Sequence, residues 1–408
     1  MNNLINIEEP EKAIIQRKFS LFSYGFRPFF LGASLYAIIA TLPWFAYLFS
    51  EDSIFYLILK TSDFPTIWHS HEMLFGFVSA AIAGFLLTAI PNWTGCKPIA
   101  NTQLIILFTI WLLGRISFWT MEFIPLFYHF DLLFFPALSF MIASVLIKAG
   151  KLRNLIFLVI LFLLFLCNLT IHYGIYSENY EISHIGTIVT LYLISVMIAI
   201  IGGRIIPNFS RMVLKKDNRN QNIRSIKLLD ISSIATIFLM ALFEIIQFNG
   251  LITGYLAITI SFLHLSRMFL WQGWKVYYSP ILWILHIGYL FLPIGFLLKG
   301  LGELSIIDNI IYIHVLTVGM MGIMIIAVMS RVSLGHTGRK LHVSKTTILA
   351  YICIFLSVLF RSIIPIIDLI DYDLSQKISA SLWLIGFTLF TVVYLPILIW
   401  SRVDGKNG

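Results

Sequence analysis

Stretches of about 20 apolar residues, each long enough to cross a hydrocarbon core of roughly 30 Å as a helix, recur with short polar breaks from Leu31 to Trp400. Twelve are read, at 29–49, 71–91, 102–122, 125–147, 154–174, 184–206, 228–248, 250–272, 280–300, 310–330, 344–367 and 379–400. The chain is 59% hydrophobic and 12% charged, against about 25% charged in an ordinary soluble domain. A soluble enzyme is excluded. The sequence predicts an all-α polytopic membrane protein, one transmembrane domain over residues 1–408. A short cytoplasmic segment, 1–21, precedes the first span. That segment has no apolar stretch ahead of a small-residue cleavage site, so no removable signal peptide is expected.

The formal charge of +8 reflects topology. Counted in alternate connections, nineteen Lys and Arg fall on one side, and three, Lys60, Lys299 and Lys377, on the other. Acids such as Glu51, Asp52, Asp63, Glu178, Glu181, Asp371 and Asp373 lie with the three. By the positive-inside rule both termini are cytoplasmic, and the basic residues call for a lipid bilayer and no nucleic acid. The longest break, Pro207 to Lys227, reads as a basic cytoplasmic loop. Helices 2, 6 and 10 each begin with a histidine, His71, His184 and His314, which suggests a weak threefold repeat of four helices.

Ionisable side chains at helix depth are costly and mark function. At 1.5 Å of rise per residue, His69, His71, His129, His172, His184 and His314 lie near the outer face, while His264 and His286 form a deeper pair. The three cysteines, Cys96, Cys167 and Cys353, have no CxxC pairing, which rules out thiolate-held clusters. Imidazole is then the donor for heme iron or copper. A heme gripped by two helices needs histidines at similar depth, which His71 with His314, or His264 with His286, would satisfy. His69 and His71 stand roughly 200° apart on a regular helix, so both reach one metal only if His69 lies in the preceding turn. Among the arginines within the spans, Arg27, Arg115, Arg204, Arg267, Arg331 and Arg361, Arg115 lies far from either end. A carboxylate such as Asp131 or Glu244, a heme propionate or an oxyanion is the partner a guanidinium takes in a bidentate fork. No phosphate-binding loop, dinucleotide fingerprint or serine elbow is found.

GFRPFF (Gly25–Phe30), WHSHEMLFGF (Trp68–Phe77), GFLLTAIPNWTG (Gly84–Gly95), LLGR (Leu112–Arg115), GGRIIPNF (Gly202–Phe209), PILWILHIGY (Pro280–Tyr289), IHVLTVG and AVMSRVSLGHTGR together resemble the NnrS family, heme- and copper-containing bacterial membrane proteins linked to nitric oxide stress and denitrification. The resemblance implies twelve spans in the cytoplasmic (inner) membrane, b-type heme, copper and protection from nitrosative stress. That protection would work by binding or converting NO or a metal-nitrosyl species, and an enzyme of this kind would be a heme-dependent oxidoreductase. Arg27, His69, His71, Arg115, Arg204, His286, His314, Arg331 and His336 fall within the motifs, and His172 and His264 at positions where the family tends to show histidine. On this reading His71 and His314 are axial heme ligands, His69 and His172 copper ligands, and Arg115 a propionate or oxyanion partner; Arg27, Arg204 and Arg331 also face the cofactor. A second heme or a quinol-oxidising site is placed near His264 and His286. A more distant similarity of layout links the chain to the catalytic subunit of heme-copper oxidases, but the histidine dyad of helix 7 is absent. The alternatives are a copper- or heme-handling transporter and a quinol-linked NO reductase-like oxidoreductase.

Overall fold

The structure, a computed structural model, describes residues 18–49, 65–120, 127–150, 154–219 and 222–406. Apart from one bridge between Phe19 and Trp400, all regular structure among these residues is helical. Twelve helices are long and apolar enough to cross a membrane: α1 Phe26–Ala46, α2 Pro65–Thr94, α3 Thr102–Trp119, α4 His129–Ala149, α5 Ile156–Tyr176, α6 Tyr180–Lys216, α7 Lys227–Ile245, α8 Gly250–Trp271, α9 Pro280–Glu303, α10 Ile311–His336, α11 Lys345–Ile366 and α12 Tyr372–Ile399. The chain is a multi-pass membrane protein, and its helices coincide with the apolar runs to within about two turns, except at the end of α6. Local chemistry sets several ends. Asn249 caps α8 by accepting from the Leu251 amide at 2.9 Å, proline opens α9, and Gly95 closes α2 at φ +76°, a conformation that favours glycine. Of the charges used for orientation, Lys12, Arg17, Glu51, Asp52, Lys60, Asp63, Lys151 and Arg153 lie outside the described residues, as does most of segment 1–21.

Three expectations change. The break read from Pro207 to Lys227 is half helix, because α6 continues through Pro207 to Lys216. Its 37 residues span roughly 55 Å, more than a bilayer core needs, so the basic end of α6 extends beyond the apolar run. Helix α2 starts at Pro65, ahead of both His69 and His71. Lys299, read as an outer-connection charge, is a buried residue of α9 that pairs with Glu303 at 2.7 Å and Glu244 at 3.8 Å. Two neighbouring carboxylates explain how a lysine is tolerated there.

Packing divides the chain into two compact units. One holds the described residues up to Thr190 with Met329–Thr347 and those from Phe387 onward; the other holds Leu191–Val328 and Ile348–Gly386. In the first, the start and end of the chain meet. Ser20 donates its amide to the Ile399 carbonyl at 2.8 Å, and Ser401 to that of Lys18 at 2.9 Å. Arg27, fully buried, donates to the carbonyls of Ile397, Leu398 and Trp400 at 3.3, 3.0 and 2.7 Å. These are the carbonyls a helix C-terminus leaves over. In the second unit, α8 and α9 pack closely. A Cβ on Gly300 would lie 2.9 Å from the Gly254 carbonyl oxygen, the small-residue contact that lets membrane helices approach.

Two helices widen into π-helix directly after a histidine. α2 does so over Glu72–Val78, following His71, and α10 over Val315–Gly322, following His314. α11 has a third such stretch, Leu359–Ile363, which contains Arg361. α6, the remaining helix of the expected repeat, is α-helical throughout. Single π turns within α-helices are frequent at functional sites.

Candidate metal centre

Four helices of the first unit converge on one polar cluster within an apolar surround. α2 supplies His71 and Glu72, α3 Arg115, the 3-10 turn that opens α4 supplies Asp131, and α5 supplies Asn168 and His172. None of the six is more than 2% exposed, so each polar atom must find its partner inside the cluster. Asn168 and His172 are four residues apart and therefore share one face of α5. Gly114, beside Arg115, makes room: a Cβ there would lie 3.1 Å from the Asp131 Cα.

Arg115 joins the two acids. It donates to Glu72 Oε1 at 2.5 Å and, from its other terminal nitrogen, to Asp131 Oδ1. The Tyr36 hydroxyl also donates to Glu72, and itself accepts the Trp119 indole N–H at 2.8 Å. His71 Nδ1 lies 3.0 Å from Glu72 Oε1. With Nδ1–H donating to that carboxylate, Nε2 is left as a lone pair. It faces Asn168 Oδ1 at 2.9 Å and Asp131 Oδ2 at 3.1 Å, while His172 Nε2 lies 3.2 Å from the same Asp131 oxygen. Asn168 settles its amide by donating Nδ2–H to Asp131 Oδ2 at 2.7 Å.

With both imidazoles neutral and bare at Nε2, these are acceptors that converge with too few protons between them. Two carboxylates against one guanidinium also leave one negative charge in a dry interior, where an uncompensated charge is costly. A cation relieves both. One ligand atom each from His71, Asp131 and His172 lie within 4.8 Å of one another. Around a metal with bonds of roughly 2.1 Å, tetrahedral ligand atoms stand roughly 3.4 Å apart, so the 3.1 and 3.2 Å separations need open only slightly. Glu72 on the far nitrogen of His71 is the outer-shell carboxylate that fixes a ligating imidazole's tautomer.

The fit is to an ion more than to a porphyrin. The His71 ring is stacked against Phe118, with centroids 3.7 Å apart and planes 10° apart, and against Phe75 at 5.0 Å and 19°. Its Nε2 points into the polar cluster and not at an apolar slot. In the second unit, His314 Nε2 accepts from Arg361 Nη2 at 2.9 Å. Both histidines singled out as heme ligands thus have Nε2 engaged.

The remaining sequence-derived residues fall into separate places. His69 lies on α2, stacked on Trp44 with centroids 4.6 Å apart; the preceding-turn geometry that would join it to His71 is absent. Arg27 serves the end of α12. Arg331 is buried on α10, and Arg204 half-buried on α6. His336 packs against Tyr24 and Phe26. His264 and His286, read as a depth-matched pair, belong to different networks. His264 Nε2–H donates to the Ser233 carbonyl at 3.1 Å and Nδ1 accepts from Tyr289 at 2.8 Å; Arg267 holds Tyr289 at 2.6 Å and Asp230 at 2.8 Å. His286 instead meets Ser210 Oγ at 3.0 Å. Sequence reasoning offered Asp131 as one of several partners for the arginines within the spans, but missed Glu72, Asp131 and Asn168 as members of the centre. The signal was present: each is a polar residue within a stretch otherwise apolar enough to span the membrane.

Among known proteins, the chain is matched by the family model described as NnrS protein over residues 20–402. No curated protein sequence matches it significantly. The match embraces all twelve helices and every residue of the buried centre, and the family binds metal cofactors; the chain belongs to the NnrS family.

Proposed function

We propose that this NnrS protein holds a copper ion at His71, Asp131 and His172 and uses it to protect the cell against nitric oxide. The reading is carried by one observation, the convergence of His71 Nε2, His172 Nε2 and Asp131 Oδ2 in a buried cluster. Two imidazoles and a carboxylate accept copper(II), which heads the affinity order of the divalent first-row ions, and the same donor set also suits non-heme iron(II). Bound there, copper would supply a redox-active centre with an affinity for NO. The protein's own groups have defined tasks. Glu72 orients His71, Arg115 offsets the charge of both acids, and Phe75 and Phe118 hold the imidazole against rotation. NO is small and weakly polar, so it partitions into lipid and reaches a membrane-embedded centre without a polar channel. Heme is the further group that family membership suggests, with His314 and Arg361 as its nearest candidates, an imidazole beside a partner for a propionate.

The test is the metal content of purified full-length protein, with iron and copper quantified and absorption and electron paramagnetic resonance spectra recorded. Wild type is expected to carry close to one copper, and His71→Ala, His172→Ala and Asp131→Asn to lose it. Copper-replete wild type without bound metal, or variants that retain it, would sink the assignment. A Soret band that survives His71→Ala and disappears in His314→Ala would place heme apart from this centre. Cells that depend on this protein should lose NO tolerance with His71→Ala.

A further inference from the structure

His286 has one nitrogen to spare. It is 7% exposed, and its Nε2 is committed to Ser210 Oγ at 3.0 Å, while Nδ1 has no hydrogen-bond partner among the described residues. The ring borders a cavity of about 480 Å³ at the end of the α8–α9 pair, walled by Met268, Phe269, Trp274, Trp283 and Leu290. That volume lies in the range of small-molecule sites, whose usual make-up is apolar and aromatic walls with a few polar groups, here His286 and the Tyr277 hydroxyl.

Gly273 packs its backbone closely against this ring. A Cβ on this residue would lie 2.5 Å from His286 Nδ1, too close to coexist with it. Yet the backbone at Gly273 is not in the left-handed region, so the main chain does not require glycine there. What the absent side chain allows is the position of the imidazole, which a methyl group at residue 273 would push aside.

No Lys, Arg, Asp or Glu lines the cavity, which disfavours a phosphate or carboxylate headgroup. Its rim is greasy and outward-facing, with Phe269 69% and Trp274 55% exposed. A ligand would therefore arrive from the bilayer. The Ser210 pairing also lets the imidazole present either face of a hydrogen bond. When the Ser210 hydroxyl donates to Nε2, Nδ1 carries the proton and donates to a ring carbonyl. When Nε2–H donates to Ser210 Oγ, Nδ1 is bare and accepts from a ring hydroxyl.

We propose that this cavity binds a lipid-soluble quinone, in its oxidised or reduced form, through a hydrogen bond between a ring oxygen and His286 Nδ1. The proposal goes beyond the copper reading and does not depend on it, since binding is measured without any metal.

The probe is decyl-benzoquinone added to full-length protein in phosphatidylcholine nanodiscs, with quenching of tryptophan fluorescence corrected for partition into empty discs. Saturable quenching is expected. Gly273→Ala, which adds one methyl group where the backbone tolerates it, and His286→Phe, which keeps a ring but no nitrogen, should each weaken binding about tenfold or more, the effect of one lost hydrogen bond in a dry site. Quenching that never rises above partition into empty discs would overturn the proposal. So would saturable binding that both variants leave unchanged. A photoreactive acyl lipid that labels residues 265–290 without displacement by the quinone would assign the cavity to lipid and overturn it as well.

Discussion

Arg115 is the residue on which the buried centre turns, because among the described residues it is the one Lys or Arg set against Glu72 and Asp131. Removing one partner of a buried ion pair costs about 3–5 kcal/mol, far more than the pair contributes against an apolar replacement. Arg115→Met is accordingly expected to lower the unfolding temperature of detergent-solubilised protein sharply. Adding Asp131→Asn should recover part of the loss, since the residual negative charge then falls; additive losses would show that the pair is not coupled. The spacing of LLGR reveals nothing of Gly114 as the residue that admits Asp131, because that contact joins helices whose relative rotation hydropathy does not encode. A second charged pair titrates within reach of experiment. Hydrogen bonds from Arg402 hold the Asp404 carboxyl below its usual range. Its contribution is therefore fully present above the unfolded carboxylate pKa of about 4 and is lost as the pH falls below that value. Asp404→Asn should remove that acid-side loss; at this exposed site the whole effect is small.

At the scale of elements, the twelve spans were legible because apolar length is a one-dimensional property of the chain. The turn of each helix was not. The expected heme ligands His71 and His314 fall just ahead of π stretches, which depend on how later residues are hydrogen-bonded and leave no mark in hydropathy. His69 and His71 show the same limit: their angular separation was read correctly, but the start of α2 at Pro65 decided that His69 meets Trp44. A π turn takes up one residue more than an α-helix needs. Deleting one residue within Gly76–Val78 would restore a regular helix with Ser79–Thr94 facing as they do now, removing only the widened turn beside His71 and Glu72. Circular dichroism should then show unchanged helicity while bound copper is lost. Retained copper would mean that the π stretch is incidental to the centre.

For the molecule as a whole, the distribution of Lys and Arg predicts one orientation, with the basic end of α6 and both chain ends in the cytoplasm. A cysteine placed at Asn218 in a cysteine-free background should react with membrane-permeant maleimide alone in intact cells; labelling by an impermeant reagent would reverse the assignment. Depth-matching grouped His71 with His172, and both ring Nε2 atoms lie close to Asp131 Oδ2. It failed for His264 and His286, because equal depth says nothing about which neighbour each imidazole meets. The junction of Arg27 with the last turn of α12 bears on time. From the start of α1 to the start of α12 is 346 residues (372 − 26), which a ribosome needs roughly 17–70 s to make. Throughout that interval a guanidinium destined for complete burial has not met the carbonyls of Ile397, Leu398 and Trp400. The first helix must therefore wait, in the insertion machinery or at the bilayer surface, for the last, and chains cut short before α12 are expected to be degraded early in a pulse-chase experiment.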